Sequence, residues 1–439
     1  MALFGTDGVR GVAGEFLTAD LALNLGRAAA TWSPAEAPQV LIVRDTRESG
    51  EMLETALAAG IAAGGGHALL GGVLPTPGAA LLVRRFGFDL AAVVSASHNP
   101  YQDNGIKFFG PEGTKLDDEQ EAEVERLLDR PTGSIGRVRQ LHGAGGDYVR
   151  ELELRFRDLD LSGRRILLDC ANGAAFRVAP EIFRRLGADV DALAVKPDGR
   201  NINLGCGSTR VEWLVERMNG HDAGFAFDGD GDRVLAVDRT RTVVDGDELM
   251  ALAALHLRDR GRLAGGGVAV TVMTNYGFHR AMDAAGIEVS TTPVGDRHVL
   301  AELLRRGWSL GGEQSGHIID MSFVPAGDGI ATALLALEAL GDRDLVERDA
   351  MERLPQRLVN VPVADRAALE GAGEVWTAVE RESERLDGRG RVLVRPSGTE
   401  PLVRVMVEAP DERECEEVTA RLVEVVEAEL GSRFSHARP

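Results

Sequence analysis

The sequence predicts an α/β protein with three similar α/β domains, whose sheets are mixed but mainly parallel, and a smaller C-terminal α+β domain, all placed around a central cleft. The first observation is a pattern of apolar strand, polar turn, helix, glycine and second strand. It occurs three times, beginning at residues 40–43, 165–168 and 268–272. The second observation is that the last part of the chain lacks this pattern. Strand–helix–strand units of this length require right-handed crossovers, which produce parallel sheets covered by helices.

Each copy is predicted from the same local signals. In the first copy, the strand is followed by a polar turn, a helix to about residue 63 and three glycines. The second helix ends just before Gly187 and the third just before Gly286. A glycine just past a helix suits the left-handed conformation that ends many helices. We place the domains at residues 1–153, 154–253, 254–365 and 366–439.

Length and charge limit the classes of partner. The chain has 439 residues, more than one core normally holds, and a net charge of −20 that disfavours nucleic acid and anionic membranes. Three cysteines without a CxxC spacing indicate a reduced, cytoplasmic protein. Residues 1–7 lack the basic and apolar parts of a signal peptide.

One uncharged stretch is long enough to suggest a membrane span. Residues 56–83 contain no Asp, Glu, Lys or Arg. They also contain seven glycines and two prolines, which break helices. We therefore expect a helix end, a strand and a turn there, and no contact with a membrane.

A serine follows a buried strand of the first copy. Residues 89–94 are apolar and partly β-branched, which predicts a strand, and the His-Asn-Pro run at 98–100 ends it. Ser97 is thus placed at the carboxyl end of a core strand, where α/β folds bind ligands. We expect the strand to continue through Ser95, whose side chain is turned to the face opposite Ala96, so Ser97 is the serine expected to reach the cleft. A plain turn is the alternative.

Three carboxylates follow a strand of the second copy. Residues 224–227 are apolar, and Asp228, Asp230 and Asp232 then alternate with two glycines. Glycine lets such a loop curl and aim the acids at one point, where their mutual repulsion favours a bound cation. Oxygen ligands indicate Mg²⁺, Ca²⁺ or Mn²⁺. An EF-hand is excluded, because arginines stand where that loop needs its glycine and its last glutamate.

The third copy carries an unusual loop at the corresponding place. Residues 311–317 read GGEQSGH and follow a strand-like segment. If the copies share a fold, the three loops lie at equivalent positions and can face one cleft. Residues 307–311 also match the hydrolase pattern G-x-S-x-G, but a helix end precedes them and no helix follows, which disfavours Ser309 as a nucleophile.

The sequence of the last domain predicts a phosphate-binding turn. A helix at 374–386, strands at 391–394 and 402–408 and a helix at 411–430 form a small α+β unit. Guanidinium groups, hydroxyls and free backbone N–H groups are what a phosphate needs. The turn and its flanks offer them at Arg395, Ser397, Gly398, Thr399 and Arg404. A solvated hairpin turn is the alternative.

Four of these loops together resemble the signature loops of the α-D-phosphohexomutases, in the same order. They are residues 95–100 (SASHNP), 228–233 (DGDGDR), 312–317 (GEQSGH) and 395–401 (RPSGTEP). The resemblance covers the whole chain, including residues 4–11 (FGTDGVRG). Gln314, residues 293–297 and residues 104–109 favour the branch of the family that acts on glucosamine phosphates. A mutase for glucose or mannose phosphates is the alternative, and a non-catalytic binding protein is a remoter one.

The resemblance implies an isomerase that moves a phosphoryl group within a sugar. Ser97 would carry the phosphoryl, Mg²⁺ would be held by that phosphate and the three aspartates, and a sugar 1,6-bisphosphate would be the intermediate and the activator. Arg10, Lys107 and Arg233 would stabilise the transferring group, with Lys107 or His98 handling the hydroxyl proton. Sugar contacts are implied for Glu313, Ser315 and His317, and contacts to the other phosphate for Arg395, Ser397, Gly398, Thr399 and Arg404.

The same resemblance implies a metabolic setting. The product would feed UDP-N-acetylglucosamine and cell-wall precursor synthesis in the cytoplasm. A kinase or a bisphosphate would first phosphorylate Ser97. The sequence leaves the oligomeric state open, with a homodimer among the alternatives.

Overall fold

A computed structural model describes residues 3–5, 7–130, 135–397 and 400–431 of the chain. The chain divides into two compact units, one of residues 1–273 with 285–350 and one of residues 274–284 with 351–439. Among the described residues, no helix combines the length and apolar character needed to cross a membrane.

The first unit begins with a six-stranded sheet. Its strands and accompanying helices are β1 Val9–Val12, α1 Ala19–Trp32, β2 Gln39–Arg44, α2 Gly50–Ala63, β3 His67–Val73, α3 Thr76–Phe86, β4 Leu90–Val94, β5 Asp103–Phe109, α4 Asp118–Glu125, β6 Arg137–Gln140 and α5 Ala144–Arg155. The strand order is β1-β5-β4-β2-β3-β6. The pairs from β4 to β6 are parallel, whereas β5 pairs antiparallel with β4 and β1.

A five-stranded sheet follows in the chain. Its elements are β7 Arg165–Asp169, α6 Val178–Arg185, β8 Asp189–Leu193, α7 Val211–Val215, β9 Ala223–Phe227, β10 Val234–Asp238, β11 Val243–Val244 and α8 Gly246–Asp259. The order is β11-β10-β9-β7-β8, with parallel pairs at β9-β7-β8 and antiparallel pairs at the other edge.

The third sheet has four strands and repeats the arrangement. Its elements are β12 Gly267–Thr271, β13 Glu288–Thr292, α10 Asp296–Arg306, β14 Leu310–Gly312, β15 Ile318–Asp320 and α11 Gly329–Leu340, with α9 Tyr276–Ala284 assigned to the second unit. The order is β13-β12-β14-β15, and β15 is the antiparallel edge strand.

The second unit contains a smaller antiparallel sheet. Its elements, besides α9, are β16 Gln356–Pro362, α12 Gly373–Leu386, β17 Arg391–Pro396, β18 Leu402–Glu408 and α13 Glu412–Leu430. The central strand is β18, and buried valines at 403, 405 and 407 pack with Cys415, Val418 and Leu422 of α13. The predicted fold class is confirmed.

The prediction for residues 56–83 is partly wrong. A helix end and a strand are present as expected, but α3 replaces the predicted turn from Thr76 onward. Pro77 lies in the first turn of that helix, where its missing N–H has no helical partner to lose. The two prolines therefore mark the start of a helix and not a break in one.

The three signature loops of the first unit occupy equivalent places. Each connects the last parallel strand of its sheet to the first antiparallel one: β4 to β5, β9 to β10, and β14 to β15. All five residues of β4 and all five of β9 are buried, and the first residues of the loops that follow them are buried as well. The repeat seen in the sequence thus places three polar loops at three matching sheet edges.

Candidate active site

Ser97 lies three residues past the end of β4, and its side chain contacts the second signature loop. Its Oγ donates a hydrogen bond to Asp228 Oδ2 at 2.6 Å and lies 3.2 Å from His98 Nδ1. The residue is 2% exposed and has φ of +50°, an uncommon conformation for a residue with a Cβ. The prediction that Ser95 lies within the strand is wrong, because β4 ends at Val94. The Ser95 Oγ donates to Asp45 Oδ2 at 2.6 Å. Its hydroxyl is thus already engaged inside the protein.

Asp228, Asp230 and Asp232 converge on one point. One carboxylate oxygen of each lies within 4.8 Å of the others, and all three side chains are buried. The glycines between them are required by close approach: a Cβ on Gly229 would lie 2.4 Å from Ser97 O, and Gly231 has φ of +73°. The predicted curl of this loop is therefore present.

The carboxylates have opposite electrostatic settings. Burial, together with the charges of Asp232 and Asp230, holds the pKa of Asp228 well above its ordinary value. Burial acts in the same direction on Asp230, but the Lys107 charge and the Thr76 hydroxyl bond outweigh it and lower its pKa. The protonated form of Asp228 is thus favoured while the cluster lacks a cation, and a cation bound there would favour its ionised form.

The donor set fits a hard divalent cation. Asp230 Oδ1 and Asp232 Oδ1 are buried, and no described residue donates a hydrogen bond to either. Buried carboxylate oxygens without donors are costly unless a cation binds them. All three candidate ligands are carboxylates, which suits Mg²⁺, Ca²⁺ or Mn²⁺ and not zinc.

Lys107 of β5 reaches the same cluster. Its Nζ lies 3.1 Å from Asp230 Oδ2 and 3.2 Å from Asp7 Oδ2. Burial alone would lower its pKa, but the charges of Asp230 and Asp7 outweigh burial and raise it. Lys107 therefore keeps its positive charge beside the Asp228 loop, which Ser97 contacts.

Asp7 joins several cations. Its carboxylate accepts hydrogen bonds from Arg10 and from Lys115, whose Nζ also donates to Asp296. Asp296 lies 3.8 Å from His317 Nε2, which lies at the same distance from Asp232. A series of polar contacts thus runs from the N-terminal segment through His317 of the third signature loop to the metal loop.

Arg233 and His98 complete the group around Ser97. The Arg233 backbone N–H donates to Asp228 Oδ1 at 3.2 Å, and its Nε lies 3.8 Å from Asp232 Oδ1. Burial and the positive charges of Arg233 and Arg10 lower the pKa of His98. These effects favour the neutral form of the His98 ring.

The third signature loop is held by its neighbours. Glu313 Oε1 accepts from Gly295 N–H at 3.0 Å, and Ser315 Oγ lies 3.4 Å from Glu313 Oε2. A Cβ on Gly316 would lie 2.0 Å from Val234 O, so this loop packs directly on the strand after the metal loop. The first unit thus brings the first three predicted loops together.

The fourth loop lies in the second unit. Arg395 of β17 stands directly opposite Arg404 of β18, and like charges at such positions repel. Burial and the Arg404 charge lower the pKa of Arg395. Ser397 is 3% exposed, and its Oγ accepts from Glu400 N–H at 3.3 Å. Gly398 and Thr399 lie outside the described residues.

Two facing guanidinium groups indicate an anion. Arg404 Nε is buried, and among the described residues nothing accepts a hydrogen bond from it. An oxyanion would satisfy that donor and offset the repulsion between the arginines.

Family models for the phosphoglucomutase/phosphomannomutase domains match nearly the whole chain. Domains I, II and III, each described as alpha/beta/alpha, match residues 1–133, 146–242 and 245–358, and the C-terminal domain matches residues 358–425. The chain belongs to the phosphoglucomutase/phosphomannomutase family. The resemblance to the α-D-phosphohexomutases is thereby confirmed.

Curated relatives in this family match over almost their full length. A phosphoglucosamine mutase of Moorella thermoacetica is 51% identical over 438 residues, covering 96% of this chain and 98% of the relative. One from Rubrobacter xylanophilus is 52% identical over 442 residues, covering 98% of each.

Solved structures of the family share the fold. A phosphoglucomutase/phosphomannomutase family protein from Burkholderia thailandensis gives a TM-score of 0.81 at 24% identity, covering 98% of this chain and 97% of that one. The Aspergillus fumigatus N-acetylphosphoglucosamine mutase, solved with GlcNAc-6P and magnesium, gives 0.66 at 19% identity, covering 97% and 95%.

The sequence identified the loops of this phosphohexomutase but missed residues that support them. Asp7 and Asp296 stood inside the quoted family segments without an assigned role, and Arg47 stood in the polar turn after the first repeated strand. Arg47 is 1% exposed and donates to main-chain oxygens of the Ser97 loop. A polar turn directly after a buried strand was the available signal for Arg47. The partners of Asp7 and Asp296 were not readable from spacing.

Proposed function

We propose that this chain is a phosphoglucosamine mutase that interconverts glucosamine 6-phosphate and glucosamine 1-phosphate through a phosphoserine at Ser97. The observation that carries the proposal is the 2.6 Å contact between Ser97 Oγ and Asp228, within a buried cluster of three carboxylates. Curated relatives about half identical over nearly the full chain bear this name. The product would feed UDP-N-acetylglucosamine and cell-wall precursor synthesis.

The chemistry is an exchange of one phosphorus–oxygen bond for another. In the first half-reaction, the sugar hydroxyl attacks the phosphorus on Ser97, and the bond from phosphorus to Ser97 Oγ breaks. The sugar becomes a 1,6-bisphosphate. The His98 ring accepts the hydroxyl proton, and Ser97 Oγ regains a proton from His98 or from the protonated Lys107. After the bisphosphate turns over, its other phosphate returns to Ser97 by the reverse exchange.

We assign the metal site to Asp228, Asp230 and Asp232 with an oxygen of the Ser97 phosphate. When bound there, Mg²⁺ supplies positive charge that offsets the charge of the phosphoryl group. Arg10, Lys107 and Arg233 add fixed positive charge around Ser97. Lys107 has the most definite position, because two buried or half-buried carboxylates hold its Nζ.

The remaining loops would bind the non-reacting parts of the substrate. Glu313, Ser315 and His317 would contact sugar hydroxyls. Arg395, Ser397 and Arg404 would bind the phosphate that is not being transferred, with Gly398 and Thr399 completing that turn. The facing arginines of β17 and β18 support this assignment.

Activation requires a first phosphate on Ser97. We propose that a sugar 1,6-bisphosphate can supply it, and the Aspergillus fumigatus enzyme has also been solved with glucose 1,6-bisphosphate. An activating kinase, a homodimer and a cytoplasmic location remain predictions. Intact mass after expression, sedimentation and cell fractionation test them in that order.

A side-by-side assay tests the proposed function. The phosphorylated chain with Mg²⁺ should convert glucosamine 6-phosphate with a kcat/KM well above that for glucose 6-phosphate or mannose 6-phosphate. Higher kcat/KM on either hexose phosphate would replace the proposal with a hexose mutase. No turnover of any of the three by Ser97-phosphorylated protein would indicate a binding protein.

A further inference from the structure

A closed ring of hydrogen bonds surrounds the main chain of Ser97. Arg47 Nε donates to Asp45 Oδ2 at 2.8 Å, and Ser95 Oγ donates to the same oxygen at 2.6 Å. The Ser97 N–H donates to Ser95 Oγ at 3.0 Å, and Arg47 Nη2 donates to Ser97 O at 2.9 Å. All four residues are at most 2% exposed.

The Arg47 guanidinium does more than close the ring. It also donates to the carbonyl oxygens of Asn99 at 2.9 Å, of Asp103 at 3.0 Å, and of Pro100. A planar group with five fixed donors suits this task, since one side chain then binds carbonyls from several points of the loop. Asn203 Nδ2 adds a second donor to Ser97 O at 2.9 Å.

This support matters because Ser97 is held in an unfavourable backbone conformation. Its φ of +50° lies in the left-handed region, which residues with a Cβ adopt rarely and which persists where surrounding contacts impose it. The ring grips both the N–H and the C=O of the residue. The Oγ is left out of the ring and contacts Asp228 Oδ2 instead, so the ring does not occupy the atom that would carry the phosphate.

We propose that Asp45, Arg47 and Ser95 are positioning residues that hold Ser97 in one place through both half-reactions. The proposal rests on the proposed function, in which Ser97 first gives up a phosphoryl group and later takes one back. The ring uses only main-chain atoms of Ser97, so it is the same whether Oγ carries a phosphate or not.

The need for such a device follows from the cycle itself. Between the two transfers Ser97 is bare, and the bisphosphate turns over nearby. If the unphosphorylated serine shifted, its Oγ would be poorly aligned for attack on the returning phosphate. A misplacement of about 1 Å can lower the rate about a hundredfold. The bisphosphate would then escape, and the enzyme would remain without its phosphate.

The test compares two buried serines that accept a main-chain N–H. Ser95→Ala breaks the ring, whereas Ser309→Ala removes a hydroxyl that accepts from Ala264 N–H at 3.0 Å and is 5% exposed. Ser95→Ala should lower kcat by about tenfold to a hundredfold with KM little changed, while Ser309→Ala keeps the wild-type kcat. The thermal unfolding temperature should fall by a similar amount in the two variants.

A second readout follows Ser97 directly. Intact mass should show that Ser95→Ala takes up phosphate from glucose 1,6-bisphosphate more slowly than Ser309→Ala and has a larger unphosphorylated fraction during turnover. Arg47→Lys keeps the charge but loses the planar guanidinium with its several donors. It should also show slower phosphate uptake and a larger unphosphorylated fraction. A matched Arg348→Lys control changes a half-buried arginine that pairs with Asp238 and Glu248.

The outcomes separate this inference from the proposed function. Ser95→Ala with kcat and phosphate uptake equal to Ser309→Ala would overturn the inference and leave the mutase proposal standing. Wild-type protein that is phosphorylated by the bisphosphate but turns over no glucosamine 6-phosphate would contradict the proposed function, and the uptake rates would still decide the role of the ring. Wild-type protein that takes up no phosphate would overturn both.

Discussion

Lys107 Nζ lies 3.1 Å from Asp230 Oδ2, and the lysine side chain is 2% exposed. A buried ammonium group therefore touches one of the three carboxylates that converge near Ser97. The pair also explains why Asp230 stays ionised while burial and its neighbours favour the protonated form of Asp228.

This contact predicts a large kinetic effect at Lys107. Lys107→Met should lower kcat by about a hundredfold or more, because the variant loses a fixed charge at the transferring phosphoryl group. The exposed Lys196 provides the control variant Lys196→Met. Comparison with His98→Ala shows which residue transfers the proton of the sugar hydroxyl. Replacement of that residue should also shift the pH profile of kcat. Normal kcat in Lys107→Met would remove Lys107 from the mechanism.

Ser97, and neither Ser95 nor Ser309, should carry the phosphate. Ser97→Ala should abolish turnover and the added phosphate mass while the fold is retained, because its Oγ alone among the three contacts the Asp228 loop in the described structure. Peptide mapping of the active protein checks the position. Phosphate found on Ser95, or wild-type turnover from Ser97→Ala, would contradict the assignment.

Turnover should depend on a divalent cation. Excess EDTA should abolish it and Mg²⁺ should restore it, since Asp230 and Asp232 each present a buried oxygen that no described residue hydrogen-bonds. Asp232→Asn should raise the Mg²⁺ concentration needed for half-maximal activity, whereas the exposed control Asp259→Asn should not. Full activity in excess EDTA would sink the metal assignment.

Arg395 should act in binding more than in chemistry. Arg395→Ala should cost about 1.5–3 kcal/mol of charge-assisted hydrogen bonding to phosphate, seen as a higher KM with kcat largely kept. Arg413→Ala removes a solvent-exposed arginine of the same unit and serves as the control. A thousandfold lower kcat at saturating substrate with unchanged KM would show a catalytic role instead.

Asp328 should make folding stability depend on pH. Its carboxylate caps α11 through Ala331 N–H and accepts from Tyr148 Oη at 2.8 Å, and burial raises its pKa from 3.8 to about 6. A raised carboxyl pKa means that the folded state binds the proton more tightly than the unfolded state. The stability from this group is therefore present below about pH 4 and is lost as the pH rises through about 6.

Replacing that carboxylate tests the sign. Asp328→Asn keeps an acceptor for the helix cap and should be more stable than the wild type at pH 7.5 by on the order of 2 kcal/mol, with the advantage shrinking toward pH 4. Asp411→Asn makes the same change at the exposed N-cap of α13 and is the control. Equal unfolding free energies for wild type and Asp328→Asn at both pH values would refute the expectation.

Local sequence signals were sufficient for the repeats and for the loops that bear reactive groups. The acid–glycine alternation that begins at Asp228 predicted a curled loop, because the backbone freedom of glycine and the repulsion between nearby carboxylates both act over a few residues. The glycines after the repeated helices behave as expected, with positive φ at Gly65, Gly187 and Gly286. Pro77 misled the prediction of α3, since a proline reads equally as a turn residue or as the first turn of a helix.

The supporting network could not be read from the sequence for a physical reason. Lys115 bonds to Asp7 and Asp296, which are 108 and 181 residues away in the chain. Neither spacing nor periodicity carries information over such separations. Arg47 is similar, because its value depends on four carbonyl oxygens that converge once the Ser97 loop has folded around it.

The matching positions of the three loops at their sheet edges have an evolutionary consequence. If the three copies arose by gene duplication, each inherited the same loop between its last parallel strand and its first antiparallel strand. Each loop could then acquire different functional residues. If residues 313–317 contact the sugar as proposed, changes in that loop would alter sugar preference while the serine and aspartate loops keep their residues. Diversification of sugar preference without loss of phosphoryl transfer is what such a modular origin allows.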